Sequence, residues 1–243
     1  MVKVLISDKL SQAAVEIFRN RGIEVDVKTG LSPADLRAII ADYDGLAVRS
    51  STKVTRELLD AASSLKVVGR AGIGVDNVDV KSATARGVVV MNTPYGNAIT
   101  TAEHAIALMF ALARQIPEAS ASTKAGKWEK NRFMGVELSG KTLGLIGCGN
   151  IGSIVADRAQ GLKMRVIAFD PYLTEKRALD LGVEKVELDD LIARADLITL
   201  HTPLTDQTRN ILSRDALSRT KKGVRIADPV GGPASPRCAV ASV

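Results

Sequence analysis

The sequence predicts an α/β protein made of two doubly wound parallel sheets, and three observations predict it. Short apolar runs alternate with amphipathic stretches over the first 91 residues. A second alternation of the same kind begins at Thr142. Within that second half, Gly147-Cys148-Gly149-Asn150-Ile151-Gly152 directly follows an apolar run and opens a helical stretch. Strand and helix in strict alternation build a parallel sheet with helices on both faces.

The elements follow in order. Val2 to Ile6, Ile23 to Val27, Gly45 to Val48, Leu65 to Val68 and Val88 to Met91 read as buried strands. One helix opens at Ser32, an N-cap type, with Pro33 at the first helical position where a missing N–H costs nothing. Another opens at Thr55, and Leu58, Leu59 and Ala62 give it one apolar face. The turn-rich Asn92-Thr93-Pro94-Tyr95-Gly96 closes a first domain, residues 1–96. A long helix is expected from Asn97 to Ile116, with Pro117 just beyond it. Gly126 to Gly140, with the single tryptophan Trp128, reads as polar and irregular. Leu143 to Ile146, Arg165 to Phe169 and Asp196 to Leu200 are the strands of a second domain, 97–226. The last 17 residues, 227–243, hold three prolines, two glycines and four alanines with no helical or strand period, and read as a loop or disorder.

Composition narrows the function classes. The chain is 46% hydrophobic and 25% charged, ordinary for a soluble globular protein. Its net charge of +6 invites a nucleic-acid partner, but the basic residues are dispersed and aromatics are only 3%, too few for a base-stacking surface. Small anionic ligands suit a basic protein as well. The longest apolar run, Ala105 to Ala113, is far short of the roughly 20 residues of a membrane helix. Val4-Leu5-Ile6 stops at Asp8 and Lys9, too short for a secretory signal. Cys148 and Cys238 show no metal-type spacing, and a reducing cytoplasm is expected.

The glycine pattern carries the chemistry. Gly147 permits a tight turn off the strand, Gly149 lets the backbone approach a pyrophosphate, and Gly152 lets the helix pack on the sheet. The helix N-terminus then offers N–H groups and a positive dipole end. A second strand ends in Asp170, 18 residues past Gly152, where a carboxylate accepts from an adenosine ribose and repels a 2′-phosphate. The motif is that of a Rossmann-type dinucleotide site, with NAD as the cofactor. His201-Thr202-Pro203-Leu204-Thr205 follows a further strand and is placed to close over the cofactor.

Several ordered motifs resemble the D-isomer-specific 2-hydroxyacid dehydrogenase family, and within it the phosphoglycerate dehydrogenases. They are Asp44-Gly45-Leu46-Ala47-Val48-Arg49-Ser50, the stretch Gly69 to Asp79, Met91-Asn92-Thr93-Pro94, Ala102-Glu103-His104, Gly126-Lys127-Trp128 and Phe133-Met134-Gly135. The likeness runs from Val4 to about Ile226. It implies a flavodoxin-like substrate domain ahead of the Rossmann-type domain. It also implies a phosphorylated 2-hydroxy or 2-keto acid as substrate, and a homo-oligomer in contact through the 97–116 helix and the Trp128 region. Arg49, Ser50, Arg70, Ala71, Gly72 and Gly74 match substrate-side positions. Ile73, Thr101, Asn150, Ile151, Asp170, His201, Thr202, Pro203 and Thr208 match the cofactor side, beside the three glycines. Guanidinium groups suit a phosphate or carboxylate because they pair with either bidentately. An arginine taken alone reads equally as a surface ion pair.

The resemblance also sets an expectation of loss. The family's proton handling needs an arginine in an Asn-Cys-Ala-Arg-Gly-Gly stretch, a glutamate and a histidine. Here Val224-Arg225-Ile226 is followed by Ala227-Asp228-Pro229-Val230-Gly231-Gly232. No catalytic residue is therefore assigned, the chain is expected to lack its C-terminal strands and to be inactive, and the tail is expected to be out-of-frame translation. His104 and His201 read as structural or cofactor-side histidines. The readings to separate are an oxidoreductase of 3-phosphoglycerate, a related glyoxylate or hydroxypyruvate reductase, a non-enzymatic NAD-binding module, and an inert fragment.

Overall fold

The computed structural model describes residues 2–228, and the polypeptide divides between Asn97 and Ala98 into two compact units. The first unit holds strands β1 (Lys3–Ile6), β2 (Glu24–Val27), β3 (Gly45–Val48), β4 (Val67–Arg70) and β5 (Val89–Asn92) in one parallel sheet. Their order is β2-β1-β3-β4-β5, so the winding reverses between β1 and β3. The connecting helices are α1 (Gln12–Asn20), α2 (Pro33–Ile39), α3 (Arg56–Ala61) and α4 (Val80–Ala85). Three start on a side-chain cap: Ser32 accepts from the Asp35 N–H, Thr55 from Leu58 and Asp79 from Ser82. Leu36, Leu46, Leu58, Leu59, Val68 and Ala83 close the core between helices and sheet.

The second unit opens with α5 (Ala98–Arg114) and α6 (Ile116–Lys124). The single helix expected over 97–116 therefore ends early. Gln115 turns left-handed at φ 52°, and Pro117 lies in the first turn of α6, where its missing N–H is not needed. The sheet comprises β6 (Thr142–Ile146), β7 (Arg165–Phe169), β8 (Glu184–Lys185), β9 (Leu197–Leu200) and β10 (Arg225–Ala227), ordered β10-β9-β6-β7-β8, all parallel. Helices α7 (Asn150–Gly161), α8 (Glu175–Leu181), α9 (Leu188–Arg194) and α10 (Arg214–Ser218) complete it. Gly152, Val155, Ala156 and Ala159 form the buried stripe of α7 at helical spacing. α5 packs against α7, and its buried stripe is Ala102, Ala105, Met109 and Ala113, in which the three alanines let the backbone come close.

Ala227, assigned by sequence to the start of the tail, is instead the last residue of β10, paired with Thr199 and buried. A single alanine carries no period, so its place in a strand is visible only once a partner strand is in register. The expectations for 229–243 lie outside the described residues. Among those described, β10 is the outermost strand on its side of the sheet. No described helix is long and apolar enough to cross a membrane.

One glycine sets how closely a helix lies on this sheet. A Cβ built at Gly144 in β6 would sit 2.6 Å from Leu191 Cδ2 and 2.9 Å from Ala195 Cβ. Leu191 and Ala195 are fully buried, so neither can yield outward. Gly144→Ala should therefore cost about 1–3 kcal/mol of overpacking in urea denaturation. An unchanged urea midpoint would show that α9 moves off the sheet freely.

Candidate dinucleotide and anion sites

In the second unit the winding reverses between β6 and β9, and open α/β sheets bind ligands outside the carboxyl ends of the strands at such a point. Gly147 follows β6 and His201 follows β9, and the His201 N–H donates to the Ile146 carbonyl at 2.8 Å. The three glycines do different work. Gly147 has φ 91°, and a Cβ there would lie 2.7 Å from the His201 carbonyl oxygen and 2.8 Å from Thr202 Cγ2. A Cβ at Gly152 would strike the carbonyl oxygen of Gly147 itself. Both are demanded by the protein's own packing.

Gly149 differs. A Cβ there meets nothing within 4 Å, and its backbone is not left-handed. The chain therefore leaves open space over the backbone at 149. Gly149 is the N-cap of α7 and supplies no side-chain cap. The first-turn N–H groups of α7 therefore face a position that a pyrophosphate fits. Asp170 completes the turn. One of its oxygens accepts the Cys148 N–H and the other the Tyr172 N–H, both at 2.8 Å. A carboxylate oxygen has two lone pairs, so each keeps one for a ribose hydroxyl. The residues present fit a dinucleotide.

The other positions of this unit expected on the cofactor side belong to several elements. Asn150 and Ile151 open α7, and Thr101 lies in α5. Thr202 and Pro203 follow His201. The Thr208 hydroxyl donates to the Pro203 carbonyl at 2.6 Å and accepts the Thr205 N–H, so it closes the 203–208 turn. His201 lies with Nε2 3.1 Å from the Thr199 hydroxyl, and Nδ1 is buried with no hydrogen-bond partner among the described residues. Burial pushes its pKa down to about 4, so the imidazole is neutral at neutral pH. The Cys148 thiol is pushed up to about 11, by burial first and by the nearby Asp170 carboxylate second, and is a thiol rather than a thiolate. Among the described residues no cluster of His, Cys, Asp and Glu could hold a metal ion.

In the first unit, Arg70 ends β4 and Arg49 follows β3, at the carboxyl edge of the sheet. Arg70 Nε donates to Asn77 Oδ1 at 3.2 Å, and Asp76 lies 3.7 Å from its outer edge. Ala71, Gly72, Ile73 and Gly74 follow Arg70 in the chain, and Gly72 and Gly74 lie against its guanidinium. A Cβ at Gly72 would strike it, and one at Gly74 would come within 3.7 Å. This segment is pinned where the Ala71 N–H donates to the Val48 carbonyl, the Thr93 N–H to Gly72 and Asn92 Nδ2 to Ile73. The Arg49-Ser50 segment is held by Asp8, whose buried carboxylate accepts from the Arg49 N–H at 2.6 Å and from the Thr52 N–H and hydroxyl. Burial alone would raise the Asp8 pKa. Hydrogen bonds from Thr52 and from backbone N–H groups outweigh it and hold the carboxyl below the usual range. Asp8 was not singled out by sequence, because an aspartate after a strand gives no local sign of what it will accept.

Doubly wound topology and a glycine turn aimed at a pyrophosphate define the second unit as a Rossmann-type dinucleotide-binding domain. A family model described as "D-isomer specific 2-hydroxyacid dehydrogenase, NAD binding domain" matches residues 106–229. The chain is 47% identical over 231 residues to a D-3-phosphoglycerate dehydrogenase of Archaeoglobus fulgidus, covering 95% of this chain and 44% of the relative. Among solved structures it resembles a protein from Thermus thermophilus, with TM-score 0.84 and 34% identity over 93% of this chain and 73% of that one. It also resembles an NAD-dependent formate dehydrogenase from Staphylococcus aureus in complex with NAD, with TM-score 0.84 and 27% identity over 97% and 75%. The chain belongs to the D-isomer specific 2-hydroxyacid dehydrogenase family, and its second unit is that family's NAD-binding domain. It spans less than half the length of the curated relatives it matches.

Two expectations follow. Gly149→Ala should leave the thermal midpoint near wild type yet weaken NAD about tenfold or more, whereas Gly152→Ala should lower the midpoint itself. Calorimetric titration and thermal melts on both variants check this, and full NAD affinity in Gly149→Ala would refute the role of the open glycine. The second concerns His201. Its folded pKa, about 4, lies below the ordinary 6.5, so the unfolded chain binds more protons between those values. Its stabilising share is complete above pH 6.5 and is lost as pH falls toward 4. Urea denaturation across that range should show a shallower pH slope in His201→Asn, and an identical slope would mean the ring is charged in the folded state.

Proposed function

We propose that the protein to which this sequence belongs is an NAD-dependent oxidoreductase acting on 3-phosphoglycerate, giving 3-phosphooxypyruvate, the first step of L-serine biosynthesis. The observation that carries this reading is the pair Arg70 and Arg49, on adjacent strand ends of one sheet edge, with Gly72 and Gly74 lying against the Arg70 guanidinium. A substrate with a carboxylate and a phosphate needs two cationic contacts, and a guanidinium binds either bidentately. A simple 2-keto acid such as glyoxylate needs only one. The name carried by relatives such as that of Archaeoglobus fulgidus supports the same choice.

In this reading the first unit binds substrate and the second binds NAD. Bound NAD supplies a nicotinamide that takes up hydride from the hydroxyl-bearing carbon. This chain's residues do the rest that can be assigned. Gly147, Gly149 and Gly152 with the first turn of α7 hold the pyrophosphate. Asp170 orients the ribose and repels a 2′-phosphate. Ile73, Thr101, Asn150, Ile151, His201, Thr202, Pro203 and Thr208 complete the cofactor side, and Ser50, Ala71, Gly72 and Gly74 the substrate side. His201 is a neutral cofactor-side group and not the proton donor, since burial suppresses its cationic form. Exposed Trp128 and Met134 support self-association, and the free, buried Cys148 is consistent with a reducing, cytoplasmic setting.

Calorimetry with the full chain tests the reading. NAD should bind more tightly than NADP, Asp170→Ala should narrow the difference, and 3-phosphoglycerate should bind more tightly than glyoxylate. Equal binding of NADP before substitution would sink the role of Asp170, and equal binding of glyoxylate would move the substrate to the simpler acids.

A further inference from the structure

We infer that Asn77 is the positioning residue that joins Arg70 to the Arg49 segment, so that the two arginines meet an anionic substrate in one fixed geometry. The inference rests on the substrate reading above. Asn77 lies in the loop after β4, and its side-chain amide spans both arginine segments. Its Nδ2 donates to the Arg49 and Thr52 carbonyls, each at 2.7 Å. Its Oδ1 accepts from Arg70 Nε at 3.2 Å. Both amide protons and one oxygen lone pair are used.

Few other side chains can do this. Aspartate would keep the acceptor but set a carboxylate against two carbonyl oxygens. Serine and threonine carry one proton for two acceptors. The hydrogen bond from Nε also decides which edge of Arg70 is offered. With Nε held, the outer edge of the guanidinium is left for a bidentate contact, and that is the edge near Asp76. The Asp76 side chain is 75% exposed and its separation of 3.7 Å is loose, so an arriving anion displaces it with little loss. The Arg70 side chain is only 13% exposed and is already ordered before any ligand arrives. On the other side of the Arg49 segment stands Asp8, which accepts the N–H of Arg49 while Asn77 donates to its carbonyl. Arg49 thus has both backbone polar groups fixed by side chains from distant parts of the sequence, and its own side chain makes no ion pair among the described residues.

The test uses calorimetry of the full chain with 3-phosphoglycerate and, separately, NAD. Asn77→Ala should weaken 3-phosphoglycerate about tenfold or more, the scale of a lost hydrogen bond to a charged group, and leave NAD affinity unchanged. In an Arg70→Gln background the same substitution should cost less, because the share of its effect that passes through Arg70 is already gone. An equal loss in both backgrounds, or wild-type affinity in Asn77→Ala, overturns the inference while the substrate reading stands. No binding of 3-phosphoglycerate by the unsubstituted chain overturns the substrate reading and this inference with it. If Asn77→Ala fails to fold, the unsubstituted chain decides. Its NMR spectrum should contain a slowly exchanging arginine Nε–H that disappears in Arg70→Gln, and absence of that signal overturns the inference.

Discussion

Where the β6 strand turns into α7, the α-carbon of Gly152 lies so close to the Gly147 carbonyl that no side chain fits between them. That approach presses the first turn of the helix against the end of the strand and sets the direction in which its N–H groups point. The consequences spread outward. Val155, Ala156 and Ala159 fall onto the sheet because Gly152 does, and α5 then packs on α7 through its own alanines. On the other side, the left-handed backbone of Gly147 is filled in by the His201 carbonyl and Thr202, so β9 and the residues after it are positioned by the same turn. At Gly147 and Gly152 core packing and the direction of the α7 N–H groups are one constraint.

The two units use the same kind of place for different chemistry. Each has a carboxyl edge of a parallel sheet where backbone N–H groups and loop side chains converge. In the second unit the edge carries the N-terminus of α7 with open space at Gly149. In the first unit the edge carries Arg49 and Arg70, and the missing side chains of Gly72 and Gly74 let backbone lie against the Arg70 guanidinium. Backbone suits a pyrophosphate carried by a large cofactor with many other contacts. Guanidinium groups suit a small, highly charged acid, which offers little else to hold.

Two ionisable groups at these edges, Asp8 and His201, are kept in opposite states. Asp8 stays charged because Thr52 and backbone N–H groups solvate it in place of water. His201 stays neutral because nothing compensates its burial and Nδ1 has no acceptor among the described residues. Burial alone does not fix a charge state. The count of donors and acceptors that the fold supplies does.

The sequence by itself determined the strand–helix alternation, most strand positions within a residue or two, and the glycine turn with Asp170 behind it. These are local signals: an apolar run, a cap such as Ser32 or Thr55, or a glycine spacing is written within a dozen neighbouring residues. The family resemblance singled out Arg49 and Arg70 one by one. The glycine motif also gave its three glycines separate roles, and only the tertiary structure supplied the atoms that fill the space at two of them, the His201 carbonyl and Thr202 at Gly147 and the Gly147 carbonyl at Gly152. The tertiary structure also broke the 97–116 helix at Gln115 and drew Ala227 into β10. It alone brought Asp8, Arg49, Arg70 and Asn77 together from three strand ends. The physical reason is that hydrogen-bond partners so far apart in sequence leave no periodicity to read, and their pairing exists only after the sheet has set the register.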